Sequence, residues 1–399
     1  MTVLAPQTLS ELQEQVRQLH AEATPWLPAG LGSRLDWGPP VCAGSVVLSG
    51  RALGGVRSHT PDDFTVTVAA GTPLAELQQV LAAQRQWLSV DRPWGRPDTS
   101  IGGLIARGLS GGYRQRYMGL RDQLLGIQLL RSDGVLARAG GRVVKNVAGY
   151  DLMRLLSGSW GALALITEVT LRTQPIPPLR RCLVVQAELS TLQELSRWLL
   201  KASLSPERID LWSGSLAAAA GRANQPLLLL SLASIDAATL DEQITCIAER
   251  APDLEVLDDA VAAHLLDCEL GSSQAAAGAA RGDWLLRLAV PPAQACTLLA
   301  ADVLQGVPLY LAAGSGIGDG WASGTTLARH RVEALRRHCQ ALGGYLSVLR
   351  QPSPAPGSAP VAAWLDAPAR PLIEAVKRQF DPKQQLARGR LPGVAQPGG

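Results

Sequence analysis

Beyond three closely spaced prolines, Pro175, Pro177 and Pro178, the chain spells out one order of elements twice. Residues 181–189 read as a strand, 191–202 as a helix, 208–212 and 227–232 as strands, 237–250 as a helix and 254–257 as a strand. After a helical stretch around His264 the order returns: strand 284–290, helix 292–304, strands 307–312 and 318–322, helix 325–342, strand 345–349. Two βαββαβ units in succession restrict this region to a pair of ferredoxin-like halves. In the last helix Ala328, Val332, Leu335, Cys339 and Leu342 step by 4, 3, 4, 3, which puts Cys339 in the core, and Gly343-Gly344 ends the helix.

The first 178 residues have a different rhythm of short strands and helices. Thr8-Leu9-Ser10-Glu11 has the form of a capping box, followed by Leu9, Leu12, Val16 and Leu19 on one helical face. Residues 46–48 and 65–70 read as strands. Thr72-Pro73 reads as a helix start with proline at the first helical position, and Leu74, Leu77 and Leu81 supply its buried face. Residues 126–130 and 135–139 flank Ser132-Asp133-Gly134 as a hairpin. Asp151 can cap a helix carrying Leu152, Leu155 and Leu156. The apolar run 162–173 ends at the prolines. Residues 351–360, QPSPAPGSAP, read as a linker, followed by a helical tail. The expected division is 1–178, 179–350 and 351–399, within the two or three domains that 399 residues suggest.

Composition excludes several classes. An apolar fraction of 47% with 18% charged residues supports a sizeable core. A net charge of +3 without clustered Lys, Arg and aromatics gives no nucleic-acid footprint. The six cysteines are widely spaced with no CxxC, so no zinc knuckle or local iron–sulfur motif is expected. They read as reduced core thiols in a cytoplasmic protein. There is neither a signal-peptide pattern at the N-terminus nor an apolar run of membrane-spanning length.

Three glycine-rich stretches carry the chemistry. The first is Pro28, Ala29, Gly30, Leu31, Gly32 and Ser33. Consecutive N–H groups in such a loop can form an anion-binding concavity, and the same residues also fit an ordinary strand-to-loop turn. It is not the dinucleotide fingerprint, because the third glycine position is Leu35. The second stretch, 98–122, offers Thr99, Ser100, Gly102 and Gly103 as hydroxyls and unhindered amides, with Arg107, Arg114, Arg116 and Arg121 nearby. A buried diphosphate needs such donors, although a surface loop with solvated arginines has the same composition. The third, 143–172, joins a polar turn, a short helix, a Ser/Gly turn and a buried strand. Lys145 and Tyr150 there fit either a ligand pocket or a bland role.

In this order the three stretches resemble the FAD-binding domain of the vanillyl-alcohol oxidase/PCMH-type superfamily, and within it the FAD-binding subunit of glycolate oxidase, the GlcE-like group. KNVAGYDLMRLLSGSWGALALITEVTL is the most specific segment, then TSIGGLIA with SGGYRQRYMGLRD, and the FDP tail with its terminal GR supports both. The resemblance implies an α+β chain. A two-lobed FAD-binding domain would be joined to a substrate or cap domain of two ferredoxin-like halves, and the tail would return to the first domain. It implies that residues 28–33 and Thr99, Ser100, Ile101, Gly102 and Gly103 hold the FAD diphosphate through backbone amides. Residues 160–166, with Gly161 and Ile166, would pass the adenine and ribose, while Ser110, Gly111, Gly112 and Arg116 would run beside the flavin.

Departures from the family pattern sharpen these expectations. No histidine occurs in 28–35, so FAD is expected to be non-covalent. The counterpart of the histidine-rich, metal-associated motif of related catalytic subunits is AAGSGIGDGW, 312–321, which has none, so no metal is expected. The tail reads Ala387-Arg388-Gly389-Arg390, without the usual Asn and Pro. Of five histidines only His59 and His264 are candidates for a site, and no catalytic base is named. The resemblance implies oxidation of glycolate or a similar 2-hydroxy acid within a complex of a sister FAD-linked catalytic subunit and an iron–sulfur subunit. That complex would be cytoplasmic and would meet a membrane only through its partners. A non-catalytic assembly subunit and a stand-alone FAD-linked oxidoreductase are the alternatives.

Overall fold

A computed structural model describes residues 2–91, 98–142, 150–269, 283–353 and 359–395. Lys145 and most of the KNVAGYD segment lie outside the described residues.

The N-terminal region forms two lobes. A small parallel sheet, in the order β1 (Val3–Leu4), β3 (Val46–Ser49), β2 (Trp26–Ala29), packs against the helix Leu9–Ala21. Thr8 caps that helix, its hydroxyl accepting from the Glu11 N–H, while the Glu11 carboxylate reaches back to Gln7 N–H rather than to Thr8. The second lobe is a five-stranded antiparallel sheet. Its order is β4 (Val56–Thr60), β5 (Thr65–Ala69), β9 (Leu165–Arg172), β7 (Leu124–Leu130), β8 (Leu136–Gly140). The helices Leu74–Ala82 and Ile101–Arg107 bury Leu74, Leu77, Leu81, Ile101 and Ile105 in the same core as Val66, Val68 and Val169. Two short strands, β6 (Gln86–Trp87) and β10 (Gln174–Pro175), pair beside it. Pro73 sits at the N-cap rather than at the first helical position, because its carbonyl already accepts from Leu77 N–H. Leu152 and Leu155 are exposed. The helix Met153–Leu156 is a single turn and can bury only one side, that of Met153 and Leu156.

Both βαββαβ units form. The first supplies β11 (Leu179–Gln186), β12 (Pro206–Trp212), β13 (Leu227–Ser234) and β14 (Glu255–Val256). The second supplies β15 (Trp284–Ala289), β16 (Tyr310–Ala312), β17 (Ile317–Ala322) and β18 (Tyr345–Arg350). They join edge to edge as one eight-stranded sheet, β14-β11-β13-β12-β16-β17-β15-β18. Within each half the second strand lies at the junction, so β12 and β16 pair antiparallel, with Trp212 opposite Tyr310 and Asp210 opposite Ala312. The expected helix over 292–304 breaks into the α-turns Ala295–Leu299 between two 3₁₀ turns, Pro292–Gln294 and Asp302–Leu304.

Strand side chains alternate between faces. Leu183, Val185, Ile209, Leu211, Leu286 and Leu288 pack under the helices Leu189–Leu199 and Arg329–Ala341, where Cys339 is fully buried. Their neighbours Cys182, Val184, Trp212, Leu285, Tyr310 and Trp321 face Trp37, Leu109 and Trp160 of the N-terminal region. The tail returns to the first lobe. Lys377, on the helix Arg370–Phe380, donates to Asp381 at 2.6 Å and to the carbonyls of Ala162 and Leu386, each at 2.7 Å. Leu386 bridges to Trp26 at the start of the first glycine-rich stretch.

Candidate cofactor cleft and adjoining chamber

The strand β2 delivers the chain into Gly30–Ser33, and the bend after Thr99 delivers it into the helix Ile101–Arg107. These two turns meet: a Cβ on Gly30 would overlap the Ser100 hydroxyl, so only glycine permits the approach. Between them and residues 160–166 lies a cleft with an empty volume of about 780 Å³. Pro28, Ala29, Gly30, Leu31, Gly32, Ser33, Thr99, Ser100, Gly102, Gly103, Gly161 and Ile166 all line it, as the sequence leads one to expect.

The donors are distributed unequally. The amides of Ile101, Gly102 and Gly103 are already engaged, donating to Thr72 O, Ala70 O and Ser100 Oγ. The expectation that a diphosphate is held by the amides of Ile101, Gly102 and Gly103 is therefore corrected: these three are spent within the protein, while the N–H groups of Thr99 and Ser100 make no hydrogen bond among the described residues. Among the described residues, the N–H groups of Gly30, Leu31, Gly32 and Ser33 make no hydrogen bond to protein. They too are available donors.

Positive charge gathers at the same loop. Arg107 donates to Arg34 O, and Arg34 donates to Ser33 Oγ and Asp98 O. Arg390, from the tail, donates to the carbonyls of Leu35 and Trp37. Arg107 also lies 4.1 Å over the Trp160 ring. Burial, with Arg390 and Arg34 nearby, pulls the Arg107 pKa down to about 9, and Asp36 alone opposes this. Burial likewise lowers Arg390, to about 10. An anion in the cleft would relieve this excess. Free amides, bare glycines and buried guanidiniums fit a diphosphate.

The cleft continues past Arg34, Thr99, Gly103 and Arg107 into a second chamber, where Ser110 and Gly111 face Arg287, Tyr310 and Asp319 of the eight-stranded sheet. Asp91, which the sequence did not single out, fixes the loop by accepting from Gly111 N–H at 2.6 Å and Tyr113 N–H at 3.1 Å. Arg287 donates to Asp319 at 2.8 Å and to Ser110 O, tying sheet to loop. Three expected site residues fall elsewhere. Ile101 is fully buried in the core, Arg116 is exposed outside both cavities, and Gly112 packs against Asp210 and Arg208. Tyr150 is 89% exposed, and neither His59, bonded to Gln86, nor His264, on an exposed helix face, reaches the chamber.

Behind Gly112 lies a buried ionic cluster with more carboxylates than cations. Arg208 pairs with Asp210 at 2.5 Å and with Glu269, while Trp212 Nε1 donates to Glu269 at 3.0 Å. Burial is the main cause that raises both carboxyls, Glu269 to about 8, and Arg208 offsets it only in part.

Residues 2–140 match the family model described as FAD binding domain. Among curated relatives, the chain is 34% identical over 193 residues to "Glycolate oxidase subunit GlcE" of Escherichia coli (strain K12), covering 48% of this chain and 54% of that protein. It is 34% identical over 179 residues to "D-2-hydroxyglutarate dehydrogenase" of Xanthomonas citri pv. viticola (45% and 38%) and 29% identical over 187 residues to "Glycolate oxidase subunit GlcD" of Bacillus subtilis (strain 168) (47% and 39%). The match thus spans about half the length of these relatives, or less. A solved structure of alkyldihydroxyacetonephosphate synthase superposes with a TM-score of 0.70 over 98% of this chain and 77% of that one, at 15% identity, which shows the fold. No described helix is long and apolar enough to cross a membrane.

Two outcomes follow from this geometry. A Cβ on Gly103 would meet only the Ser100 hydroxyl, at 3.0 Å, whereas one on Gly102 would sit 2.7 Å from Ala70 Cβ in the core. Gly103→Val should weaken FAD binding by about 1–3 kcal/mol in fluorescence titrations while leaving apo-protein unfolding nearly unchanged. Gly102→Val should lower the apo-protein melting temperature itself. Unchanged FAD affinity in a folded Gly103→Val variant would reject the placement. The Glu269 pKa is raised on folding, so its contribution to stability is complete below the unfolded value of about 4.3 and is lost as pH rises toward 8. Urea unfolding across that window should show stability falling, by at most about 1.4 kcal/mol per pH unit from this group, and Glu269→Gln should flatten the slope. An equal slope in the variant would contradict the assignment.

Proposed function

With residues 2–140 carrying an FAD-binding domain, we propose that this chain is the FAD-binding subunit of a glycolate oxidase-type complex, where it takes part in oxidising glycolate or a similar small 2-hydroxy acid to the 2-oxo acid. One observation carries the proposal: the glycine-bared, cationic cleft shares Arg34, Thr99, Gly103 and Arg107 with an adjoining chamber walled by the eight-stranded sheet. A dinucleotide with its diphosphate at Gly30–Ser33 can therefore place its reactive ring beside Ser110 and Gly111. The names of the two glycolate oxidase relatives, each called a subunit, support a heteromeric setting.

In this proposal residues 1–178 hold the cofactor, 179–350 cover its reactive end and 351–399 return to brace the first loop. The amides of Gly30, Leu31, Gly32 and Ser33, with Thr99 and Ser100 opposite, bind the diphosphate. Arg34 and Arg107 neutralise it, and Gly161 to Ile166 pass the nucleoside. FAD, when bound, supplies the two-electron acceptor. The chain's own residues bind and orient it and exclude water. The sequence 28–35 carries no histidine, which supports non-covalent attachment. The six scattered cysteines provide no cluster motif, so iron–sulfur centres would belong to a partner, alongside a sister flavoprotein. A cytoplasmic complex, meeting a membrane only through its partners, fits this arrangement.

Purified protein is expected to be yellow, with acid precipitation releasing the flavin into solution. A colourless protein that cannot be reconstituted would reject FAD binding, and colour retained in the pellet would reject only the non-covalent mode. Co-expression with the two partner types should give glycolate-dependent reduction of a dye, at a rate far above that of the lone chain. Equal turnover by a complex whose Gly103→Val chain is shown to have lost its flavin would instead identify an assembly subunit.

A further inference from the structure

The chamber beside Ser110 and Gly111 holds one acceptor that the fold leaves open. Asp319, on β17, stands directly across the ladder from Arg287 on β15 and is 6% exposed. Its Oδ2 accepts from Arg287 Nη1 at 2.8 Å and from Tyr310 OH at 3.0 Å. Its Oδ1 is buried and has no hydrogen-bond partner among the described residues. A buried carboxylate oxygen without a donor is costly and calls for an explanation. Two donors pin one oxygen, and the residue lines the cavity that continues the cofactor cleft.

The other groups there are spent or of the wrong kind. Both Asp91 oxygens accept from backbone N–H groups. Tyr310 donates its proton to Asp319, and Arg34, Arg107 and Arg287 are cations. Asp210 also has an open oxygen but packs behind Gly112 and does not line the chamber. We propose that Asp319 is the catalytic base of this chain, accepting the hydroxyl proton of a small 2-hydroxy acid through Oδ1, with Arg287 and Tyr310 as the positioning residues that hold it. This rests on the function proposed above.

The balance is simple. The substrate O–H bond breaks and its proton passes to Asp319. The C2–H bond breaks and its electron pair leaves with the hydrogen as hydride to the flavin. C2–O becomes a carbonyl, and the carboxylic acid afterwards returns its proton to solvent. The charged or titratable groups facing Asp319 are Arg287, Tyr310 and Asp91, with Arg34 and Arg107 on the same chamber wall. A base held in this way contributes on the order of 10²–10⁴-fold.

The test is anaerobic mixing of the FAD-loaded chain with glycolate, following loss of flavin absorbance, together with glyoxylate binding read from perturbation of the flavin spectrum. Asp319→Asn is expected to bleach about 10²–10⁴-fold more slowly, with glyoxylate affinity within a few-fold of wild type. Added formate should restore part of the rate in Asp319→Ala. Wild-type rates in Asp319→Asn would overturn the base assignment and leave the proposed function standing, and so would an Asp319→Ala variant that formate does not rescue. A wild-type chain that no small 2-hydroxy acid reduces would overturn the base assignment, and failure of the co-expressed complex as well would overturn both. If the Asp319 variants do not fold, Tyr310→Phe decides. Removing one of the two donors that hold Asp319 should slow bleaching while leaving glyoxylate affinity within a few-fold of wild type, and an unchanged rate would overturn the assignment.

Discussion

Three guanidiniums from distant parts of the chain converge on one short loop. Arg34 follows it directly, Arg107 comes from the end of a helix, and Arg390 comes from the tail. Burying like charges together is unfavourable, and the lowered pKa of Arg107 records that cost. The fold tolerates it because Arg107 and Arg390 donate to carbonyls flanking the loop and Arg34 ties the Ser33 hydroxyl to Asp98 O, which fixes the loop's shape and leaves its amides pointing to no protein partner. The site thus has its charge and its donors in place before any anion arrives. The tail's missing Asn and Pro do not prevent this, since Arg390 supplies the bracing contact and the Lys377–Asp381 pair anchors the segment to Ala162.

The second half of the chain contributes a wall. Because the two halves join through β12 and β16, positions of alternate parity on four strands from both units reach the same face. Most of that face is apolar and packs against Trp37, Leu109 and Trp160. The polar exceptions, Arg208, Asp210, Arg287 and Asp319, lie opposite the loop 110–113. Joining the halves therefore brings together residues more than a hundred positions apart, and Arg287 carries the joint to the loop through Ser110 O.

The sequence made the repeated units legible because each strand was bounded by turn residues and each helix carried a clear apolar stripe. Helix ends were less legible: Pro73 caps the helix because its backbone is extended, with ψ 140°, while its carbonyl already accepts from Leu77 N–H. The two glycine loops were legible as a site, but the division of labour between them was not. Gly102 and Gly103 read as open amides in sequence, yet Ala70 O takes the first and the capping Ser100 hydroxyl takes the second. Arg116 reads as part of a cationic group, yet its helical turn points it to solvent. The chamber wall escaped notice because Arg287 and Tyr310 carry no local motif, the stretch 312–321 that holds Asp319 was read only for its missing histidines, and Arg287 meets Asp319 only through antiparallel register.

The account turns on which backbone amides meet the diphosphate. Amide hydrogen exchange of the apo and FAD-loaded protein measures this directly, at peptides covering residues 30–33 and 101–103. Added FAD should slow exchange markedly at 30–33 and leave 101–103 nearly unchanged, because those amides are bonded within the protein in either state. Protection confined to 101–103, or exchange at 30–33 indifferent to FAD, would contradict it.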